Sequence, residues 1–185
     1  MKRPLLADRF DSQFVLIDVQ EKLSSVMPET ALQTMLRNCS FLLQAAQWLE
    51  VPVIHTEQYP KGLGPTLPHL QTWLNAEARV EKTCFSCCEE SAFCDRMDDT
   101  RQQFILAGME SHICVLQTAI QLQEMGRQVF VVEDAVISRN PAHHANAMAR
   151  LREAGVIVTN TESVMFEWLK VAEGDVFKQV SRLIR

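Results

Sequence analysis

Hydrophobic residues along the chain alternate between short unbroken runs and longer stretches in which they recur every three or four positions. The short runs are rich in Val and Ile and lack polar alternation, which is typical of strands buried on both faces of a parallel sheet. These runs predict strands at 14–19 (FVLIDV), 51–56 (VPVIHT), 104–108 (FILAG), 129–136 (VFVVEDAV) and 156–161 (VIVTNT), with a brief extended piece at 79–82.

The longer stretches have the spacing of amphipathic helices and lie between the strands. They predict helices at 29–50, around 69–75, at 114–126, at 141–154 and at 162–185, the last in two pieces broken near Gly174. Strands joined by helices form right-handed crossovers in a parallel sheet. We therefore predict an α/β fold, a Rossmann-like three-layer sandwich whose mostly parallel sheet is covered by helices on both faces. No linker, low-complexity tract or repeat interrupts it, so residues 1–185 are expected to form a single domain.

Composition narrows the class of protein. The chain has 185 residues, of which 47% are hydrophobic and 22% charged, as in soluble globular proteins. A net charge of −5 without a basic cluster argues against nucleic-acid binding. No run approaches the roughly 18 apolar residues of a membrane span. We expect no membrane association and no signal peptide, since Asp8 and Arg9 interrupt the first apolar residues.

The six cysteines are irregularly spaced, which favours reduced thiols and a cytoplasmic location over a disulfide framework. A C-x-x-C spacing occurs among four of them and would suit zinc or a redox pair, but no second such pair accompanies it. A redox role for these thiols stays open. The four are Cys84, Cys87, Cys88 and Cys94.

Three reactive side chains follow predicted strands. In open parallel sheets, ligands bind at the carboxyl ends of the strands. Asp18 ends the first strand, Lys82 ends the brief extended piece, and Cys114 follows FILAG across a turn and opens the next predicted helix. Each has an ordinary structural interpretation when taken alone: Asp18 as a turn cap, Lys82 as a surface residue, Cys114 as core packing.

Together these side chains suit one another chemically. An ammonium and a helix N-terminus both stabilise a thiolate and lower its pKa. A neighbouring carboxylate can take the thiol proton and later deliver it to a leaving amine. Asp18, Lys82 and Cys114 therefore predict an activated cysteine nucleophile.

Three segments carry a resemblance to a known family. FVLIDVQ (14–20), VEKTCFS (80–86) and GMESHICV (108–115) resemble the signature of the isochorismatase-like cysteine hydrolases, which include nicotinamidases and N-carbamoylsarcosine amidase. The resemblance covers nearly the whole chain.

The resemblance implies a role for each matching residue. Asp18 would be the general base and acid, Lys82 the thiolate stabiliser and Cys114 the nucleophile. It also implies a non-proline cis peptide between Met109 and Glu110. The backbone N–H groups of Glu110 and Cys114 would then form an oxyanion hole.

The chain departs from the metal-bearing members of this family after the second strand. They show Asp-x-His there, whereas this chain has Gln58, Tyr59 and Pro60. A neutral amide and a proline cannot replace a carboxylate and an imidazole as metal ligands. We therefore expect no metal and no cofactor. The segment TEQYPKGLG (56–64) instead resembles the isochorismatase-domain-containing hydrolases of unassigned substrate, so nicotinamide is not favoured.

The sequence predicts a metal-independent hydrolase that cleaves a small amide or carbamoyl compound through a covalent thioester. A thiol-based sensor or binding protein on the same scaffold is the alternative, and hydrolysis of a vinyl ether, the isochorismatase reaction, fits the three residues less well. The expected partner is a small-molecule substrate, and the resemblance favours a homo-oligomer. The pocket is expected to be lined by Gln20, Tyr59, Phe85 and His112.

Overall fold

A six-stranded sheet forms the centre of the computed structural model, which describes residues 5–185. Residues 1–4, part of the N-terminal stretch considered above, lie outside the described residues. All neighbouring strands are parallel, in the order β3-β2-β1-β4-β5-β6. The strands are β1 Ser12–Ile17, β2 Val53–Gln58, β3 Arg79–Lys82, β4 Gln103–Met109, β5 Gln128–Ile137 and β6 Ile157–Thr159.

Helices connect the strands. Within the described residues they are α1 Glu21–Ser24, α2 Glu29–Trp48, α3 Pro60–Leu63, α4 Pro68–Gln71, α5 Ser91–Cys94, α6 Leu116–Glu124, α7 Pro141–Glu153, α8 Thr161–Leu169 and α9 Gly174–Leu183. Two 3-10 turns, Ala76–Ala78 and Cys87–Glu89, follow α4 and precede α5. None of these helices is long and apolar enough to cross a bilayer.

The hydrophobic core is divided by the sheet into two clusters. Alternate residues of β1 point to opposite faces, with Phe14 and Leu16 in one cluster and Val15 and Ile17 in the other. Helices α2, α8 and α9 cover the first face, and α6 and α7 cover the second. The predicted three-layer α/β sandwich is confirmed, and the sheet is parallel throughout.

The structure corrects one local prediction that matters for the site. Cys114 does not open a helix, because a π-helical turn, Ser111–Val115, precedes α6. The N–H of Val115 donates to the carbonyl oxygen of Glu110 five residues earlier, at 3.3 Å, which widens the turn. Cys114 therefore lies inside a wide turn between β4 and α6.

Other boundaries also differ from the prediction, among them those of β2, which spans Val53–Gln58 instead of the predicted 51–56. Strand β1 ends at Ile17, so Asp18 lies one residue beyond it. Strand β6 is shorter than 156–161, because the Asn160 side chain accepts a hydrogen bond from the N–H of Ser163 and so begins α8. The predicted break near Gly174 is confirmed, since α8 ends at Leu169 and α9 begins at Gly174.

Gly108 allows β4 to lie directly against β1 close to Asp18. Its φ is +120°, a backbone conformation that side chains disfavour, and an added Cβ would collide with the carbonyl oxygen of Ile17. Gly126 also has a positive φ, +85°, but nothing lies within 4 Å of an added Cβ there.

We expect Gly108→Ala to lower the free energy of unfolding by about 3 kcal/mol or more, because it combines backbone strain with a steric clash. Gly126→Ala is the matched control and should lose only about 1–2 kcal/mol, the cost of the left-handed backbone alone. Urea unfolding of both variants measures the difference. Equal losses would contradict the close approach of β4 to β1.

Candidate active site

Asp18 and Lys82 form a buried ion pair at the carboxyl edge of the sheet. The Lys82 Nζ lies 2.7 Å from Asp18 Oδ2, and both side chains are 0% exposed. Asp18 follows β1 and Lys82 ends β3, and both strands flank β2, so parallel pairing brings their ends to one edge. A positive φ of 52° at Asp18 turns the chain away from the strand direction at that point.

Lys82 is held by acceptors on every side. Its Nζ donates to Asp18 Oδ2 and to Gln58 Oε1 at 2.8 Å, and to the carbonyl oxygens of Phe85 at 3.1 Å and Cys84 at 3.2 Å. Burial is the largest single effect and works against the ammonium, but the charge of Asp18, the hydrogen bond to it and the nearby cysteines together raise the pKa of Lys82. Lys82 is therefore a fixed positive charge.

Cys114 is 6% exposed, and its thiol lies near enough to Asp18 and Lys82 for both charges to act on it. Burial, followed by the negative charge of Asp18, raises the pKa of this thiol above its ordinary value, while Lys82 acts in the opposite direction. The expected lowering of the thiol pKa is thus opposed by two larger effects. In the resting protein Cys114 is a thiol beside a carboxylate, because the low-dielectric site disfavours two adjacent negative charges.

The turn before Cys114 has the geometry that the family resemblance implies. The Met109–Glu110 peptide bond is cis. The Glu110 carboxylate accepts from the N–H of Arg139 at 3.0 Å and pairs with its guanidinium at 3.7 Å. The Glu110 side chain is therefore anchored to the segment that follows β5. An oxyanion hole formed by the N–H groups of Glu110 and Cys114 stays a prediction.

Three of the predicted pocket residues have side chains that are at least partly exposed to solvent. Tyr59 and Phe85 are each more than half exposed. His112 is partly buried, and its Nδ1 lies 2.9 Å from the hydroxyl of Ser138. Burial lowers the pKa of His112, so its imidazole is neutral at physiological pH. Their contact with a substrate stays a prediction.

Gln20, the fourth predicted pocket residue, is fully buried and bound to backbone groups. Its Nε2 donates to the carbonyl oxygens of Gln58 at 3.0 Å and Gly64 at 2.7 Å, and its Oε1 accepts from the N–H of Gln58 at 2.7 Å. The structure gives Gln20 the role of bracing the loop after β2. This role differs from the substrate contact that the sequence predicts.

The sequence interpretation missed two residues that contact the ion pair. The Thr56 hydroxyl donates to Asp18 Oδ1 at 2.6 Å. Gln58, which the sequence marks only as a missing metal ligand, binds Lys82 through Oε1 and the carbonyl oxygen of Thr83 through Nε2. The predicted strand 51–56 ends at Thr56, which could have drawn attention to that residue, whereas Gln58 lies beyond the predicted strand and its contact depends on the register of β2 and β3.

The residues at this edge do not fit the metal site of the metal-bearing relatives. Gln58 Oε1 is bound to the Lys82 ammonium, and Pro60 is the first residue of α3. Within residues 5–185 no group of three or more His, Cys, Asp or Glu side chains is placed to hold a metal ion. The described cysteines, those of the C-x-x-C segment included, are free thiols.

The parallel sheet and its strand order define a Rossmann-like α/β protein. Residues 12–163 match the isochorismatase domain model, and the chain belongs to this family. Family membership supports hydrolase activity in general terms.

Relatives support the assignment over most of the chain. Isochorismatase domain-containing protein 2 of Danio rerio is 39% identical over 177 residues, which are 94% of this chain and 86% of the relative. The MAR1 ribonuclease structure from Caenorhabditis elegans is 35% identical with a TM-score of 0.88, covering 97% of this chain and 92% of its own. YcaC from Pseudomonas aeruginosa, solved with hexane-2,5-diol and covalent acrylamide, is 25% identical with a TM-score of 0.88, covering 97% and 95%.

We expect Lys82→Met to lower the free energy of unfolding by about 3–5 kcal/mol, because it leaves the Asp18 carboxylate buried without a cation. Adding Asp18→Asn should restore a large part of the lost free energy of unfolding, since the double variant contains no buried charge without a partner. Urea unfolding of the wild type, the two single variants and the double variant measures the coupling between the two residues. Strictly additive losses would contradict a buried ion pair.

Proposed function

We propose that the protein is a metal-independent cysteine hydrolase that cleaves a small amide or carbamoyl compound through a covalent thioester. The observation that carries the proposal is the buried Asp18–Lys82 ion pair, 2.7 Å between Nζ and Oδ2, near enough to the buried Cys114 thiol for both charges to act on it. A nucleophile, a base and a fixed cation within one water-poor site are the components of nucleophilic catalysis.

The first half-reaction breaks the C–N bond. The Cys114 sulfur attacks the carbonyl carbon while its proton passes to Asp18. The carbonyl oxygen becomes an oxyanion, for which the N–H groups of Glu110 and Cys114 are the proposed donors. The intermediate then collapses, Asp18 returns the proton to the leaving nitrogen, and an amine or ammonia departs from the thioester.

The second half-reaction releases the acid. Water attacks the thioester carbonyl carbon and gives a proton to Asp18. The C–S bond breaks, and the proton returns to the Cys114 sulfur. Asp18 thus accepts and donates one proton in each half-reaction, as a general base and acid must.

A protonated resting thiol suits this cycle. With Asp18 ionised, Lys82 charged and Cys114 neutral, the buried group carries no net charge, which limits the desolvation cost. The thiolate forms only when a carbonyl carbon is present to accept it. The same raised pKa argues against the thiol sensor, because oxidant-sensing cysteines are exposed and have lowered pKa values.

Two comparisons bear on the substrate class. The YcaC relative holds covalent acrylamide, which is a small amide. The worm relative is described as a ribonuclease, so RNA belongs among the compounds tested here. We favour the small amide because the chain carries a net charge of −5 and its nucleophile is almost fully buried. Homo-oligomeric assembly and a cytoplasmic location stay predictions.

The first test is a panel of small amides and carbamoyl compounds, with an RNA oligonucleotide included, assayed for ammonia, amine or acid release. We expect turnover of at least one amide by the wild type and its loss in Cys114→Ala, because the thioester cannot form. Mass spectrometry of a quenched reaction should show the acyl adduct on the Cys114 peptide.

Cys88→Ala, which removes a partly exposed thiol of the C-x-x-C segment, is the matched control and should retain activity. An active Cys114→Ala variant would refute the nucleophile assignment. Cleavage of RNA alone would refute the proposed substrate class.

The second test is removal of metal ions. Dialysis against a chelator should leave amide turnover unchanged, because Gln58 and Pro60 cannot supply the ligands of the metal-bearing relatives. Activity before and after dialysis is measured with and without added zinc or iron. Loss of activity that either ion restores would reverse this part of the proposal.

A further inference from the structure

Thr56 makes two separate contacts with Asp18. Its Cα pairs with that of Ile17 in the β1–β2 ladder, and its carbonyl oxygen accepts from the N–H of Asp18 at 3.1 Å. Its hydroxyl donates to Asp18 Oδ1 at 2.6 Å, and the residue is 1% exposed. Thr56 therefore holds both the backbone and the side chain of Asp18.

The direction of the side-chain hydrogen bond follows from chemistry. An ionised carboxylate can only accept, so the Thr56 hydroxyl must be the donor. Lys82 donates to the other oxygen, Oδ2, at 2.7 Å. With one donor on each oxygen, the plane of the Asp18 carboxylate is fixed relative to Cys114.

We propose that Thr56 is a positioning residue for the proton transfer between Cys114 and Asp18. The inference rests on the proposed function, in which Asp18 accepts the thiol proton. The Thr56 hydroxyl stabilises the ionised form of Asp18 through a short hydrogen bond and sets the direction from which the carboxylate meets the sulfur.

Three other ionisable side chains of the described residues face Asp18. They are the Lys82 ammonium on β3, the Cys114 thiol in the π-helical turn and the Cys87 thiol in the 3-10 turn. Burial raises the pKa of Cys87 to about 12, so Cys87 stays neutral in the range over which a carboxyl titrates. Cys87 therefore does not account for a change in Cys114 reactivity at acidic pH.

The test measures the rate at which iodoacetamide alkylates Cys114, followed on its peptide by mass spectrometry as a function of pH. This readout needs no substrate turnover. The acidic limb is the low-pH part of this profile, over which the alkylation rate falls. Thr56→Val keeps the shape of the side chain but removes the hydroxyl. In this variant the acidic limb should move to higher pH by about one unit, because a carboxylate without its donor binds a proton more readily. Thr56→Ser keeps the hydroxyl and should restore the wild-type limb.

Thr118→Val is the matched control. Thr118 is also fully buried, and its hydroxyl accepts from the N–H of Cys87 at 2.9 Å without a hydrogen bond to Asp18. Its limb should match the wild type. A Thr56→Val limb equal to that of the wild type, in a variant that unfolds cooperatively, would overturn the assignment of Thr56. A shift that Thr56→Ser fails to reverse would overturn it too, since it would show a packing effect.

The outcome is separable from that of the proposed function. Failure of every amide assay would refute the hydrolase proposal and leave the alkylation profile to decide the role of Thr56. An unshifted limb together with amide turnover would refute only the role of Thr56.

Discussion

A buried ion pair between Asp18 and Lys82 is the interaction on which the site depends. Two opposite charges without solvent exposure are stable only when each is fully hydrogen-bonded. The structure meets this requirement with Thr56 on one oxygen of Asp18 and with three further oxygen acceptors around the Lys82 ammonium. In the proposed mechanism this pair supplies a base and a compensating positive charge beside the buried Cys114 thiol.

Several features of the fold serve to place these two charges. Parallel pairing in the order β3-β2-β1 brings the ends of the strands to one edge, and Gly108 lets β4 lie against β1 there. Gln20 braces the backbone of Gln58, whose side chain in turn binds Lys82. Hydrogen bonds of the Gln20 and Gln58 side chains therefore link the loop after β2 to the Asp18–Lys82 ion pair.

Most of the architecture could be predicted because buried parallel strands form unbroken apolar runs. The π-helical turn at Ser111–Val115 could not be predicted, since nothing in SHICV distinguishes a hydrogen bond to the residue five positions earlier from the α-helical bond to the residue four positions earlier. Thr56 and Gln58 escaped prediction because their contacts depend on strand register, which places Thr56 beside Ile17 and Gln58 beside Lys82. The sign of the Cys114 pKa shift depends on how deeply the thiol is buried, which residue types do not reveal.

The central claim is that Cys114 rests as a thiol whose proton Asp18 can accept. Ultraviolet absorbance of the thiolate, taken as the difference between the wild type and Cys114→Ala across a pH titration, tests it directly. We expect no Cys114 thiolate at neutral pH and a midpoint above the roughly 8.5 of a free cysteine. A midpoint below neutral pH would contradict the account, because it would mean that Lys82 outweighs burial and Asp18 and that the thiolate exists without proton transfer to the carboxylate.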